Sequence, residues 1–368
     1  MTEVHQVLLF LCVLLRAKFH KEFEGTMKNI KKQFLLASVA LAAGLFSVSV
    51  LAKDLRVIVH SSFDLPKPLL AKFESEAGVK LKIVKGGDSG EMLNKLILTR
   101  KAPIADVVYG IDNAQAVKAK AADILDVYDG ASAQGESKTE FAGMAVAVDY
   151  GFVTLNYDKA TVAKRGTPLP KSLEELTQPA YKKWLVVENP ATSGPGYAFL
   201  LATIANMGEE KAFAWWKSMR GNGMKVAKGW TEAYYTDFSR NGGAYPIVVS
   251  YASSPAAEVF YSKEKLTDSP TASLFLPGAV FRQVEGVALI KGGKQRAEAE
   301  KFLEFMRTAD VQEALQTTMW MYPMQSTTKR ADVMRFAPEP AKFESMAPAV
   351  IAEKGAGWIS RWTKTVLK

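Results

Sequence analysis

The sequence predicts an α/β protein built as a two-lobed clamshell, with a mostly parallel sheet flanked by helices in each lobe and two hinge crossings between them. Three observations carry this reading: a strand–helix–strand–helix–strand cycle near residue 53, a second such cycle after residue 184, and two extended stretches, one before and one after the second cycle, that serve as crossings.

Leu55 to Val59 is a β-branched run, and Pro66 to Ala77 places Leu69, Leu70 and Phe73 at helical spacing. Val79 to Val84 returns to alternation. A glycine-rich turn, Gly86 to Gly90, then feeds a helix from Glu91 to Thr99, and Ala105 to Tyr109 is a third apolar strand. Ligands of such sheets lie beyond the carboxyl ends of the strands, here the loops His60 to Phe63, Gly86 to Gly90 and Gly110 to Asn113. In the second cycle Trp184 to Glu188, Met224 to Ala227 and Pro246 to Tyr251 read as strands; Tyr197 to Met207 and Thr231 to Arg240 read as helices. Met144 to Tyr157 and Ala272 to Pro277 are extended, with crossings expected near Ala145 to Tyr150 and Ser273 to Pro277. Gly286 to Ile290 and Lys294 to Arg307 form a closing strand and helix. The expected division is lobe 1 at 53–146 and 277–315, lobe 2 at 147–276, and C-terminal helices at 316–368 packing on both.

Residues Met27 to Ala52 carry an export signal: Lys28, Lys31 and Lys32 precede an apolar run from Phe34 to Leu51, and Val50-Leu51-Ala52 supplies a small-residue cleavage site. Residues 1–26 add nothing that export requires, so translation is expected to start at Met27, with cleavage leaving Lys53 first. The remaining 316 residues contain 41 Lys/Arg and 35 Asp/Glu, spread through the chain without a basic block interleaved with aromatics. Nucleic acid is therefore a poor partner. The only cysteine, Cys12, and two of the three histidines fall in the removed part. That leaves no disulfide, no thiolate and no histidine-rich metal site. No Gly-x-Ser-x-Gly elbow accompanies His60, so an exported hydrolase is the weakest reading and an enzyme is not expected.

Three loops at strand ends of the second cycle carry hydroxyls, glycines and aromatics. Asn189-Pro190-Ala191-Thr192-Ser193-Gly194-Pro195-Gly196 opens a helix, either as a site for an anion or simply as a helix cap. Lys228-Gly229-Trp230-Thr231-Glu232-Ala233-Tyr234-Tyr235 presents an indole, either to a cation or planar ring or to the core. Ser250-Tyr251-Ala252-Ser253-Ser254-Pro255 ends a strand with one aromatic and several hydroxyls before a proline-started helix.

These strings, with ADVVYGIDN, VDYGFVTLNYDK and MWMYP, resemble the thiamine-binding periplasmic proteins of ABC importers, within the type II solute-binding proteins; the resemblance runs in order over nearly all of residues 53–368. It implies ligand contacts at Asp88, Ser89, Ser193, Gly194, Trp230, Tyr251, Ala252, Ser253 and Ser254, with His60, Ser62, Asp112, Tyr234, Trp320 and Tyr322 as further candidates. The implied ligand is thiamine, thiamine phosphate or thiamine diphosphate, the implied partner an inner-membrane ABC permease, and the implied state a monomer in the periplasm without cofactor or metal. Asp88 would meet the thiazolium charge or the exocyclic amine, Trp230 and Tyr251 would offer π-faces, and the hydroxyls and amides would hold the hydroxyethyl arm. Two departures stand out. The family's Tyr-Asp-Ser-Phe is His60-Ser61-Ser62-Phe63, and a further tyrosine of the family is replaced by Ala257, which removes two aromatic surfaces. A ferric-iron or polyamine binder of the same fold is the alternative, the adjacent phenols of Tyr234 and Tyr235 suiting a hard metal. Against iron, neighbouring side chains on a regular helix diverge.

Overall fold

A computed structural model describes residues 53–368; the expected export signal and the segment before it lie outside the described residues. The strands are β1 (Lys53–Val59), β2 (Val79–Lys85), β3 (Val107–Asp112), β4 (Leu125–Asp126), β5 (Val146–Asp158), β6 (Leu185–Glu188), β7 (Lys225–Ala227), β8 (Ile247–Tyr251), β9 (Thr271–Leu274), β10 (Phe281–Ile290) and β11 (Tyr322–Pro323). They join in the order β2-β1-β3-β10-β5-β8-β6-β7, with β9 and β11 on β5 and β4 on β10. The wings are parallel, as the strand–helix cycles predict: β1 pairs with β2 and β3, and β6 with β7 and β8. The middle is antiparallel, because the chain enters the second half along β5 and returns beside it along β10. The return is thus made by Phe281 to Ile290, whereas Ser273 and Leu274 sit in β9, paired to the far end of β5.

Each half has its own core. In the first, Phe73, Phe302 and Phe305 cover one sheet face and Met92, Leu93 and Ile111 the other. In the second, Phe199, Trp215 and Trp216 pack with Trp358 and Trp362 of the C-terminal helix Pro348–Trp362. Trp362 is wholly buried against Trp216, with ring centroids 5.5 Å apart. Emptying such a site costs roughly 3–5 kcal/mol, enough to fix where the chain ends.

One element departs from its expected form. Thr231 to Arg240 is not a regular helix: a single turn, Trp230–Glu232, widens into a π-helical turn, Ala233–Asp237, followed by a 3₁₀ turn, Ser239–Asn241. The amide of Phe238 reaches back five residues to the carbonyl of Ala233 at 2.9 Å, and insertions of this kind concentrate at functional sites.

Candidate functional site

Between the halves lies a cavity of about 610 Å³. Its walls come from the loop after β1, the N-terminus of the helix Ser89–Leu98, the turn at Trp230, the end of β8 with the helix Ser254–Phe260, and Thr318 to Met321. Asp88, Ser89, Trp230, Tyr251, Ser253 and Ser254 line it, as do His60, Ser62, Tyr234 and Trp320. Ser193, Gly194, Ala252, Asp112 and Tyr322 do not.

Those five have other employment. Ser193 is fully buried and caps the helix Gly194–Met207, its Oγ accepting the amide of Gly196 at 3.4 Å; the cap alternative describes it. Ala252 is buried with its amide on the carbonyl of Phe152. Tyr322 is 2% exposed, stacks on Tyr150 and donates to the carbonyl of Ala337. Asp112 lies behind the wall, accepting from the amide of Gln115 and the amide group of Gln283, both at 2.6 Å. Burial pushes its carboxyl up to about 7, and the nearby charge of Glu285 adds to the rise while these hydrogen bonds oppose it.

Gly194 belongs to a seam between the halves, and Asp88 is the centre of that seam. One carboxylate oxygen of Asp88 accepts the amides of Ser89 at 2.7 Å and Gly194 at 3.0 Å, and the other accepts the amide of Trp230 at 3.0 Å. The amide of Glu91 donates to the carbonyl of Thr192 at 2.9 Å, and the Glu91 carboxylate pairs with Lys228 at 3.1 Å. Glycines allow this approach. A Cβ on Gly90 would lie 2.7 Å from the backbone of Thr192, one on Gly194 2.2 Å from Ser89 Oγ, and one on Gly229 2.8 Å from Asp88. Asp88 thus sits where expected, but both its oxygens are committed to protein backbone.

Trp230 forms the aromatic wall. Its indole N–H donates to Ser250 Oγ at 2.8 Å, its ring stacks on Tyr234 at 5.1 Å, and Ser250 in turn bonds Ser254 at 2.8 Å. The π-helical turn sends Tyr234 inward, where its hydroxyl donates to Glu258, and leaves Tyr235 exposed at the cavity edge. Trp320 faces it from the C-terminal segment, held at φ +58°, a conformation bulky residues rarely adopt. Its carbonyl accepts from Ser253 Oγ at 2.5 Å, and its ring packs on Phe260 and Tyr261.

The floor holds a group that sequence patterning missed. Glu285 on β10 lies opposite Asp149 on β5 and opposite Asp112 on β3, so three acids share one level of the central strands. The register shifts on either side of Gly286, a bulge that re-aims neighbouring side chains. The hydroxyl of Tyr109 donates to Asp149 at 2.5 Å and lies 3.3 Å from Glu285. His60 packs on Tyr109 with its Nε2 3.7 Å from Glu285, too far to bond, and its ring occupies the space a Cβ on Gly110 would fill. Burial, reinforced by the charge of Glu285, holds Asp149 well above the carboxylate range.

Tyr261, Glu258 and Glu285 are among the lining residues the sequence did not single out. Tyr261 lies one turn after Ala257 on the same helical face, which was a usable signal for aromatic surface replacing the missing tyrosine. Among the described residues the wall contains six Trp or Tyr rings, four carboxylates and no lysine or arginine, although the chain as a whole carries net charge +9.

Comparison with known proteins gives a consistent result. A family profile described as bacterial extracellular solute-binding protein matches residues 102–348. The chain is 33% identical over 340 residues to the thiamine-binding periplasmic protein of Escherichia coli strain K12, covering 88% of this chain and 96% of that one. It is 30% identical to the thiamine-binding periplasmic protein of Brucella suis, over 84% of this chain and 92% of the other. A solved periplasmic thiamin binding protein superposes with a TM-score of 0.74 at 28% identity, covering 86% of this chain and 97% of that one. The ferric binding protein of Campylobacter jejuni shares the fold at a TM-score of 0.67 and 18% identity, over 84% and 99% of the two chains.

Proposed function

The chain belongs to the bacterial extracellular solute-binding proteins, and from that premise we propose that its cleft captures thiamine, or thiamine carrying one or two phosphates, and presents it to an inner-membrane ABC permease. The composition of the cavity wall carries this reading: six aromatic rings and four carboxylates with no lysine or arginine suit a flat, cationic ligand. Thiamine joins a permanently cationic thiazolium to an aminopyrimidine. Its hydroxyethyl arm, with any phosphate, would lie among the hydroxyls of Ser62, Ser89, Ser253 and Ser254 at the wall. Relatives of this name support the same ligand.

Ligand would draw the halves together, because only the closed cleft offers both walls at once. The protein would act as a monomer in the periplasm, released from a cleaved signal at Ala52. Binding without reaction suffices for this role. Of the alternatives, iron is disfavoured because the Tyr234 hydroxyl is already donated to Glu258 and its ring is stacked on Trp230. A polyamine would satisfy the carboxylates but leave the flat aromatic walls without a planar partner.

A thermal-shift panel with thiamine, its mono- and diphosphate, ferric citrate and spermidine tests the reading. A cleft-filling ligand at about a hundred times its Kd should add roughly 2.7 kcal/mol to unfolding stability. The thiamine series should raise the melting temperature and the others should not; a shift with spermidine or iron alone would reject thiamine.

A further inference from the structure

Four carboxylates line the cavity, yet they are not equally available. Asp88 is committed to three backbone amides. Glu258 accepts from Tyr234 at 2.9 Å and pairs with Arg240 at 2.9 Å. Asp64 stands exposed on the loop after β1, where water can satisfy it. Glu285 is different: it is 5% exposed, its neighbours are the raised carboxyl of Asp149 and the hydroxyl of Tyr109 at 3.3 Å, and among the described residues no donor reaches it from the cavity side. The nearest cation-capable group, His60, has its Nε2 3.7 Å away and without a partner of its own.

A carboxylate this hidden, lining the cavity with acceptor capacity that the described residues do not fill, carries a desolvation cost that a donor in the cavity would offset. The cost is compounded by placing Asp112, Glu285 and Asp149 abreast on adjacent strands, an arrangement that destabilises a sheet. We propose that Glu285 is a specificity-determining residue, whose carboxylate accepts a hydrogen bond from the exocyclic amine of the ligand's aminopyrimidine ring, so that the cleft selects amino over oxo heterocycles.

This inference rests on the thiamine reading and deepens it. The thiazolium is not the better partner for Glu285, because it carries diffuse charge and no N–H and would leave the acceptor unsatisfied. Its charge is matched by ring faces such as Trp230 and Trp320 instead. An amine supplies the missing donor directly. In the oxo analogue a carbonyl oxygen would face the carboxylate, and sites built to bond a polar group reject ligands lacking it strongly.

Calorimetric titration of the purified protein with thiamine and with oxythiamine, its 4-oxo analogue, provides the test. The unaltered protein should prefer thiamine at least about tenfold. Glu285→Gln should lose roughly tenfold in thiamine affinity while gaining relative affinity for oxythiamine, since a carboxamide can donate to the 4-oxo group. Glu285→Asp should bind thiamine less tightly yet keep the preference, and it serves if the glutamine variant fails to fold. Equal affinity of the unaltered protein for both compounds would overturn the inference, as would equal losses for both in Glu285→Gln. Failure of the unaltered protein to bind thiamine would instead remove the proposed function, and this inference with it.

Discussion

Asp88 and Glu285 line the same cavity from opposite ends of the first half, and the protein treats them in opposite ways. Asp88 is saturated by the amides of Ser89, Gly194 and Trp230, two of which belong to the other half. Glu285 is almost as hidden as a core residue, yet among the described residues no donor meets it from the cavity side. The difference separates a carboxylate saturated by backbone amides across the seam from one with acceptor capacity to spare. Two acids of one cavity need not share one role.

Breaking the saturated side should have the largest effect. Asp88→Ala leaves the amides of Gly194 and Trp230 without their acceptor when the halves meet, whereas water can serve them when the halves part. Hydrogen bonds to a charged acceptor contribute about 1.5–3 kcal/mol each, and partial rescue by water brings the expected loss to about 3 kcal/mol, or roughly a hundredfold in ligand affinity. Asp88→Asn, which keeps one acceptor oxygen, should fall between. Titration calorimetry with solution scattering would check both, the alanine variant remaining expanded at ligand concentrations that compact the parent. Unchanged affinity in Asp88→Ala would mean that the seam does not govern binding.

The same contrast recurs at the two ends of β3 and predicts a pH dependence. Before the strand, burial would raise Asp106, but Arg56 through side chain and backbone, with the amide of Lys294, more than offsets it and holds the carboxyl below its usual range. At the strand's last residue, burial dominates at Asp112 and raises it to about 7. Below the ordinary pKa of an aspartate the raised group costs nothing. Between there and about 7 the folded state holds a proton that the unfolded state has released, so stability falls as pH rises. Asp106 works in the other direction, its contribution being lost only as pH drops through its lowered value. From pH 5 to pH 7 the Asp112 share should amount to about 2 kcal/mol. Urea midpoints of Asp112→Asn should decline less steeply over that interval than those of the parent; the slope is the readout, because Gln283, held also by the Tyr251 hydroxyl at 2.8 Å, lets the substitution lower the midpoint at every pH. Parallel declines would place the titrating group elsewhere.

Much of this was legible in the sequence, for identifiable reasons. The strand–helix cycles announce themselves through β-branched runs and helical spacing, and the hydroxyl- and glycine-rich strand ends pointed to Asp88, Trp230, Tyr251 and Ser254 at the wall. The role of Asp88 was not legible, because its partners at Gly194 and Trp230 lie 106 and 142 residues away. Glu285 was hidden by its own chemistry: Arg282, Gln283 and Glu285 break the apolar run, so the strand was read from Gly286 although it begins at Phe281. Of those polar residues, Glu285 is the one that lines the cavity. The π-helical turn at Ala233 has no periodicity of its own, and Tyr322 in MWMYP offered no means of telling a wall residue from a buried one.

The smallest change that would sharpen the contrast is one methyl group. Gly90 lies in the first turn of the helix Ser89–Leu98, where alanine is the better helix former by about 1 kcal/mol, so Gly90→Ala should not lower the melting temperature of the ligand-free protein. When the halves meet, however, the added Cβ would lie 2.7 Å from the backbone of Thr192, which cannot swing aside as a side chain can. The cost falls on the closed form alone. Because a ligand's apparent affinity scales with the population of the form that binds it, a penalty of about 1.4 kcal/mol should appear as tenfold weaker binding. Comparing melting temperature with calorimetric affinity separates the two effects. A lower melting temperature with unchanged affinity would assign Gly90 to folding, and Asp88 would then lose its companion as a device for closing the cleft.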